Sequence, residues 1–264
     1  MKKKSALEKE FGARLLLLEE KAYIISSTQI RKRLQENGFS EDLTPEVNGF
    51  IALHGLYGSE MNEKRKEVLS RIRKELGKKR LLHSFAVERE VDRLCRALGM
   101  AKEDVMEMRI GALLHDITKE KSKEEHLEIL RQKGKRMKEE DLQVPSAWHA
   151  ITAAALCEDA VSPRVLSAIR YHTTGKENMT IEEKILYLAD YMEETRTYLS
   201  CRQIRNAFYE NLPQAKEGVL RRLDEALQEA LEYTLFYVTK NKLPEHPLTR
   251  AALTDLEKIR KESK

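Results

Sequence analysis

Apolar residues recur along this chain at intervals of three and four, the spacing of helices that bury one face. The clearest stretch is R-I-G-A-L-L-H-D-I-T-K at 109–119, where Ile110, Leu113, Leu114 and Ile117 stand at i, i+3, i+4 and i+7. Upstream, Leu15 to Leu18 form a compact apolar run that suits a buried strand. Ser26 or Ser27 is placed to cap a helix running through Leu34 to a stop at Gly38. A second short helix is predicted from Pro45 to about Gly55. A boundary falls near Ser59, where a charged linker over Met61 to Lys79 passes into an amphipathic helix. Arg80 to Leu98 and Asp104 to His115 read as helices, and Lys119 to Lys138 as a surface helix or lid. Pro145 leads a helix that carries Trp148 and His149. Ser162 and Pro163 open one that ends at His172, and Thr173-Thr174-Gly175 reads as a turn. Thr180 and Glu183 have capping-box spacing ahead of a helix that reaches Asp190. Ala207 to Asn241 reads as one further helix. No strand pattern is found beyond residue 60, so the fold class predicted is all-α.

Composition supports that reading. Of 264 residues, 35% are charged and 41% hydrophobic, with only 11 Gly and 6 Pro, which suits solvated amphipathic helices. The net charge of +4 is spread over mixed-sign runs, so no nucleic-acid partner is expected. Cys95, Cys157 and Cys201 are far apart in sequence and read as free thiols in a reducing compartment. No apolar segment has the length of a signal or a membrane span. A cytoplasmic protein without a membrane partner is the expectation.

The candidate chemistry lies at the end of the central helix. His115 and Asp116 are adjacent there, beside the apolar Leu114 and Ile117. Burying a carboxylate in such a place is costly unless a cation or donors compensate it. His83 lies upstream, and His149, His172 and Asp190 downstream, each on a predicted helix or helix end. Any one of these histidines alone is more often an ordinary core or surface residue; His54, His126 and His246 are assigned to that role. The order H…HD…H…H…D resembles the HD-domain metal-dependent phosphohydrolases, which implies an HD-domain helical bundle with a short N-terminal appendage. His83, His115, Asp116 and Asp190 supply enough nitrogen and oxygen ligands for one ion. A set without thiolate suits iron, manganese or zinc.

Over residues 78–242 the resemblance narrows. Leu113 to Lys119, Tyr171 to Gly175 with Met179, and Glu183 to Glu193 with Arg196 are similar to the YqeK branch of that superfamily. Its members cleave diadenosine tetraphosphate symmetrically to two ADP. The resemblance implies iron (Fe2+ or Fe3+) on His83, His115, Asp116 and Asp190, with Mn2+, Zn2+ or Mg2+ as the other candidates. It implies catalytic roles for Asp116, Lys119, His172 and Arg196. Substrate contacts would come from Arg80, His83, Asp116, Ile117, Thr118, Lys119, His149, His172, Thr173, Asp190 and Arg196. The helix around Tyr233 to Lys240 would close over the base or ribose. A single ion with His149 and His172 on phosphate is preferred to a second ion bridged by Asp116. The partner implied is a dinucleoside polyphosphate or an ADP- or GDP-type nucleotide, and a homodimer is allowed. One departure is Glu194, where the family usually carries proline; a small change at that helix end and no loss of chemistry are expected.

Residues 1–58 are a separate matter. The stretch from Phe11 to Tyr57 resembles the C-terminal tail of bacterial nicotinate mononucleotide adenylyltransferases, through Ile25, Ser26, Ser27, Thr28, Ile30 and Arg31. The dinucleotide-fold body of that family is missing, so a remnant without catalysis is expected, followed by an HD phosphohydrolase over 59–264. The alternatives are another HD nucleotide phosphohydrolase and a nucleotide-binding sensor without turnover.

Overall fold

A computed structural model of the chain describes residues 2–12, 14 and 25–262. The apolar run at Leu15–Leu18 lies outside the described residues. Fourteen α-helices and no strand are found among the described residues. The N-terminal segment holds α1 (Lys2–Phe11), α2 (Ser27–Asn37) and α3 (Pro45–His54). Ser26 and the left-handed Gly38 bound α2, and Thr44 accepts a hydrogen bond from Val47 N ahead of Pro45 in α3. The body continues with α4 (Glu63–Glu75), α5 (Lys78–Ala97), α6 (Lys102–Leu114), α7 (Lys123–Gln132), α8 (Glu139–Leu142), α9 (Trp148–Leu156) and α10 (Pro163–Tyr171). It ends with α11 (Ile181–Met192), α12 (Leu199–Tyr209), α13 (Lys216–Lys240) and α14 (Pro247–Glu262).

The expected helix over Ala207–Asn241 is two helices. Asn211 takes a left-handed backbone (φ 50°) and Pro213 follows, so the chain cannot continue helical hydrogen bonding there. The Thr180–Glu183 capping box forms as read from sequence.

One large core joins α3–α6 and α9–α14, and a small separate cluster of Leu130, Ile151 and Ala155 lies between α7 and α9. The central α5 packs on α6, α11 and α3, while α10 lies against α6, α9 and α11. Gly111 permits the α6–α10 approach, since a Cβ there would come within 2.4 Å of Val165 Cγ1. That close crossing sets the C-terminal ends of α6 and α10 side by side. The α3 residue Ala52 belongs to the same core, with Leu53 packed on it, so the N-terminal segment shares the body's interior. All three cysteines are buried and free.

Candidate active site

Three helix ends meet at one place. His115 is the C-cap of α6, His172 the C-cap of α10, and Asp190 stands in the last turn of α11. The partial negative charge at helix C-termini favours a cation between them. His83 comes from the first half of α5, with Arg80 one turn before it. The rings of His83 and His115 are 5.4 Å apart between centroids, and those of His115 and His172 4.9 Å.

Asp116 sits at the middle. Its Oδ2 is 2.8 Å from Arg80 Nη1, 3.5 Å from His115 Nε2 and 3.7 Å from His83 Nε2. Its Oδ1 faces the other way, 3.3 Å from His149 Nε2 and 3.7 Å from His172 Nε2. Asp190 Oδ1 lies 3.0 Å from His83 Nε2 and 2.7 Å from Arg196 Nη2. Lys119 Nζ is 3.1 Å from His149 Nε2, and Thr173 Oγ1 is 3.1 Å from both His149 Nε2 and His172 Nε2. The side chains of His115, His83, Asp116, His149 and His172 are buried, while Asp190 is 20%, Arg80 29% and Arg196 33% exposed. The mouth is therefore lined by guanidinium groups.

The imidazoles are oriented from behind. His115 Nδ1 is 2.6 Å from Ala112 O and His172 Nδ1 2.7 Å from Ile169 O, so each Nδ1 carries the donated proton and each Nε2 has its lone pair turned inward. His83 Nδ1 faces Glu193 Oε1 at 3.3 Å, and Glu193 also accepts from Thr195 Oγ1 at 2.7 Å. Glu193 is not among the site residues singled out from sequence. Its only signal there is its place in the Glu183–Glu193 block.

Electrostatics follow from burial and partners. Burial opposes a charge on His83, but Asp190 and Glu193 outweigh it and push its pKa up to about 9. The ring then holds a proton at neutral pH unless a cation takes that proton's place. Burial pushes His115 down to about 4, and burial with Lys119 nearby holds His149 well below the usual imidazole range. Asp116 and Asp190 stay well below the usual carboxylate range despite burial, held there by His115 and by Arg196 respectively. Burial lowers Lys119.

These residues fit a metal ion. His115 Nε2 is buried without a hydrogen-bond partner, and His83 Nε2, 3.0 Å from Asp190 Oδ1, lacks a well-aligned one, an arrangement that is costly unless something occupies the space between the two rings. Ligand atoms of His83, His115 and Asp190 lie within 4.8 Å of one another, and so do those of His115, Asp116 and His172. His115 is thus common to two adjacent sets of nitrogen and oxygen donors.

Two of the residues expected to touch substrate do not present side chains to this cleft. Ile117 belongs to the hydrophobic core. The Thr118 hydroxyl is buried, 2.8 Å from His149 O and 2.9 Å from Thr152 Oγ1. Any contact they make with a ligand runs through backbone. The three histidines set aside are elsewhere: His126 bonds Thr152, His246 bonds Asp141, and His54 packs on Phe50.

A family model for the HD domain matches residues 80–195. The symmetrical bis(5'-nucleosyl)-tetraphosphatase of Bacillus subtilis (strain 168) is 29% identical over 188 residues, 70% of this chain and 93% of that protein. The enzyme of the same name from Staphylococcus aureus (strain NCTC 8325 / PS 47) is 31% identical over 149 residues, 54% of this chain and 74% of its own. A crystal structure of a predicted HD superfamily hydrolase involved in NAD metabolism from Clostridium acetobutylicum superposes with a TM-score of 0.64 at 28% identity, covering 73% of this chain and 96% of that one.

Proposed function

The chain belongs to the HD-domain family, in the branch of the symmetrical bis(5'-nucleosyl)-tetraphosphatases, and on that premise we propose that it hydrolyses diadenosine tetraphosphate to two ADP at the His83–His115–Asp116–Asp190 cluster. One observation carries the proposal: the buried Nε2 atoms of His83 and His115, neither in a well-aligned hydrogen bond, face two carboxylates, ringed by Arg80, Lys119 and Arg196. Metal dependence follows from the family and the donor set; iron is our choice of ion, with Mn2+, Zn2+ and Mg2+ behind it.

His83, His115, Asp116 and Asp190 would hold the ion, which supplies Lewis acidity at a phosphoryl group and brings the pKa of water toward ~7. The protein's own residues do the rest. A polyphosphate resists attack because its oxygens repel a nucleophile, so cations must sit on the nonbridging oxygens. Arg80 and Arg196, held in place by Asp116 and Asp190, offer that charge at the mouth, with fork geometry suited to phosphate. Lys119 and Thr173 offer further donors deeper in, between His149 and His172. Lys119's lowered pKa makes it a candidate to pass a proton to the leaving ADP. The Tyr233–Lys240 stretch of α13 is proposed to cover the nucleoside; its Phe236 and Tyr237 are largely exposed. Residues 1–58 are proposed to be a packing appendage, which the shared core at Ala52 and Leu53 supports.

The test is product chromatography. Protein analysed for bound metal as purified is incubated with diadenosine tetraphosphate, and ADP alone is expected. Appearance of AMP with ATP, or faster turnover of cyclic dinucleotides or nucleoside monophosphates, overturns the assignment. Chelation is expected to abolish ADP release and re-addition of Fe2+ or Mn2+ to restore it.

A further inference from the structure

Behind the cluster, the backbone leaves helical geometry at Glu193 (φ −56°, ψ 156°) and runs through Thr195 to Arg196 before α12 begins. This short segment carries two groups the site depends on: Glu193 against His83 Nδ1, and Arg196 against Asp190. It has no helix of its own, so side chains from neighbours must fix it. Arg205 of α12 donates to the carbonyl oxygens of Met192 and Glu193, at 3.0 and 2.6 Å. The other tie is Glu194. Its Oε1 accepts from Arg89 Nε at 2.6 Å, and its Oε2 lies 3.4 Å from Arg93 Nη2.

Arg89 is on α5, the helix that carries His83, and its side chain is almost wholly buried. A buried guanidinium requires an anion, so Glu194 is held firmly, and holding Glu194 registers the whole segment against α5. Arg93 extends the chain of contacts outward: it grips Glu41, between α2 and α3, with Nε at 3.2 Å and Nη2 at 2.6 Å. A line of charged contacts thus runs from Glu41 through Arg93 to Glu194, and the backbone joins it to Glu193 behind His83.

We propose that Glu194 is a positioning residue of the metal centre, fixing segment 193–196 so that Glu193 aims His83, and that Glu41 of the N-terminal segment steadies it through Arg93. The proposal rests on the metal-site reading above. It gives the appendage a task at the centre beyond filling the core.

The experiment is a Mn2+ titration of metal-stripped full-length protein, followed by electron paramagnetic resonance, without nucleotide. Loss of a residue that orients a ligand from behind costs on the order of 10-fold in metal affinity, and that is expected for Glu194→Gln. Glu41→Gln, further out, is expected to cost roughly 3-fold. In a Glu193→Gln background the Glu194→Gln effect is expected to shrink below about 2-fold, because both act through the same histidine. Equal losses in the two backgrounds indicate a merely structural residue and overturn the proposal, as does a single-variant loss under about 3-fold for Glu194→Gln. Should Glu194→Gln fail to fold, Glu41→Gln decides, and unchanged affinity there overturns it. Wild-type protein that binds Mn2+ yet releases no ADP from diadenosine tetraphosphate would sink the proposed substrate while leaving this role standing.

Discussion

Helices α5 and α6 each contribute to two buried charge clusters, one at each end of their contact. At one end Glu88 and Asp92 of α5 meet Arg109 of α6 and Arg65 of α4. Arg65 grips Glu88 with two bonds of 2.7 Å, and Arg109 adds bonds of 2.8 and 3.1 Å to the same carboxylate. The two arginines also donate to Ser59 O, at the segment boundary, and to Asn37 O, in the N-terminal segment. Among the described residues, no buried side-chain atom of these four lacks a partner. At the other end His83 of α5 and His115, the C-cap of α6, meet Asp116 and Asp190, and the two inward-facing ring nitrogens make no well-aligned hydrogen bond. Glu88, Arg109, His115 and Asp116 are all buried. Both have arginines on their carboxylates, but one cluster closes on itself, whereas the other leaves the Nε2 atoms of His83 and His115 facing a shared space. Closure marks a structural cluster, and a remainder marks a site that expects a ligand.

The largest effect that separates the two is on catalysis. His115→Ala is expected to lower ADP release from diadenosine tetraphosphate on the order of a thousand-fold, the several kcal/mol a metal supplies to phosphoryl chemistry. The folded protein should remain, because the variant removes a neutral ring whose Nε2 has no partner. Full turnover in this variant would remove the metal-centre reading.

How much of each cluster is readable from sequence differs for a physical reason. The metal-centre residues stand out because histidine and aspartate beside apolar helical positions have few ordinary uses, and six of them recur in order. Arg65 and Glu88 do not stand out. Both lie in charge-rich helices where a charge is normally solvated, and their pairing joins positions 23 apart. Burial of a charge is decided by a partner that local pattern does not reveal. Glu193 escapes a reading of local pattern for the same reason: besides the nearby Thr195, the partner of its carboxylate is His83, brought to it by α5. The break in the long C-terminal helix is legible in Pro213, but the leucine spacing on both sides conceals it. The appendage boundary near Ser59 is visible as a change in composition, while its attachment through Arg65 and Arg109 is not.

The closed cluster predicts a stability effect with no loss of metal. Glu88→Gln leaves the buried Arg65 without its anion and Arg109 with only Asp92, at 3.4 Å, and breaking such a pair costs about 3–5 kcal/mol. Urea unfolding measures it. Mn2+ affinity of the remaining folded protein should stay within roughly 2-fold, since the clusters share helices but no side chain. A large loss of metal affinity would merge the two clusters into one functional unit.

Acid sharpens the contrast. Burial opposes ionisation of Glu88, yet Arg65 and Arg109 hold its pKa at about 2, against 4.5 ordinarily. A group depressed in the folded state stabilises above its unfolded pKa and loses that contribution as pH falls through the folded one. Here about 3 kcal/mol is present above pH ~4.5 and disappears toward pH ~2. In Glu88→Gln this part of the acid dependence should be absent. An unchanged acid profile would show that other carboxylates govern acid unfolding.

The smallest effect concerns Thr118, beside the open cluster but turned away from it. Its hydroxyl donates to the carbonyl of His149 at 2.8 Å, and that carbonyl also lies 3.3 Å from Thr152 Oγ1. Thr118→Val keeps the shape and removes the first donor while the second remains in reach. The cost to stability is therefore expected at the low end for a lost buried hydrogen bond, about 1 kcal/mol. Because the side chain faces no cleft, KM for diadenosine tetraphosphate should change less than about 3-fold, the size of a small shift in His149 rather than of a lost substrate bond. An increase by about 10-fold or more in KM, with kcat kept, would assign Thr118 to the substrate. It would then also require the segment 116–119 to rearrange when nucleotide binds, because the hydroxyl has no route to the cleft from its present position.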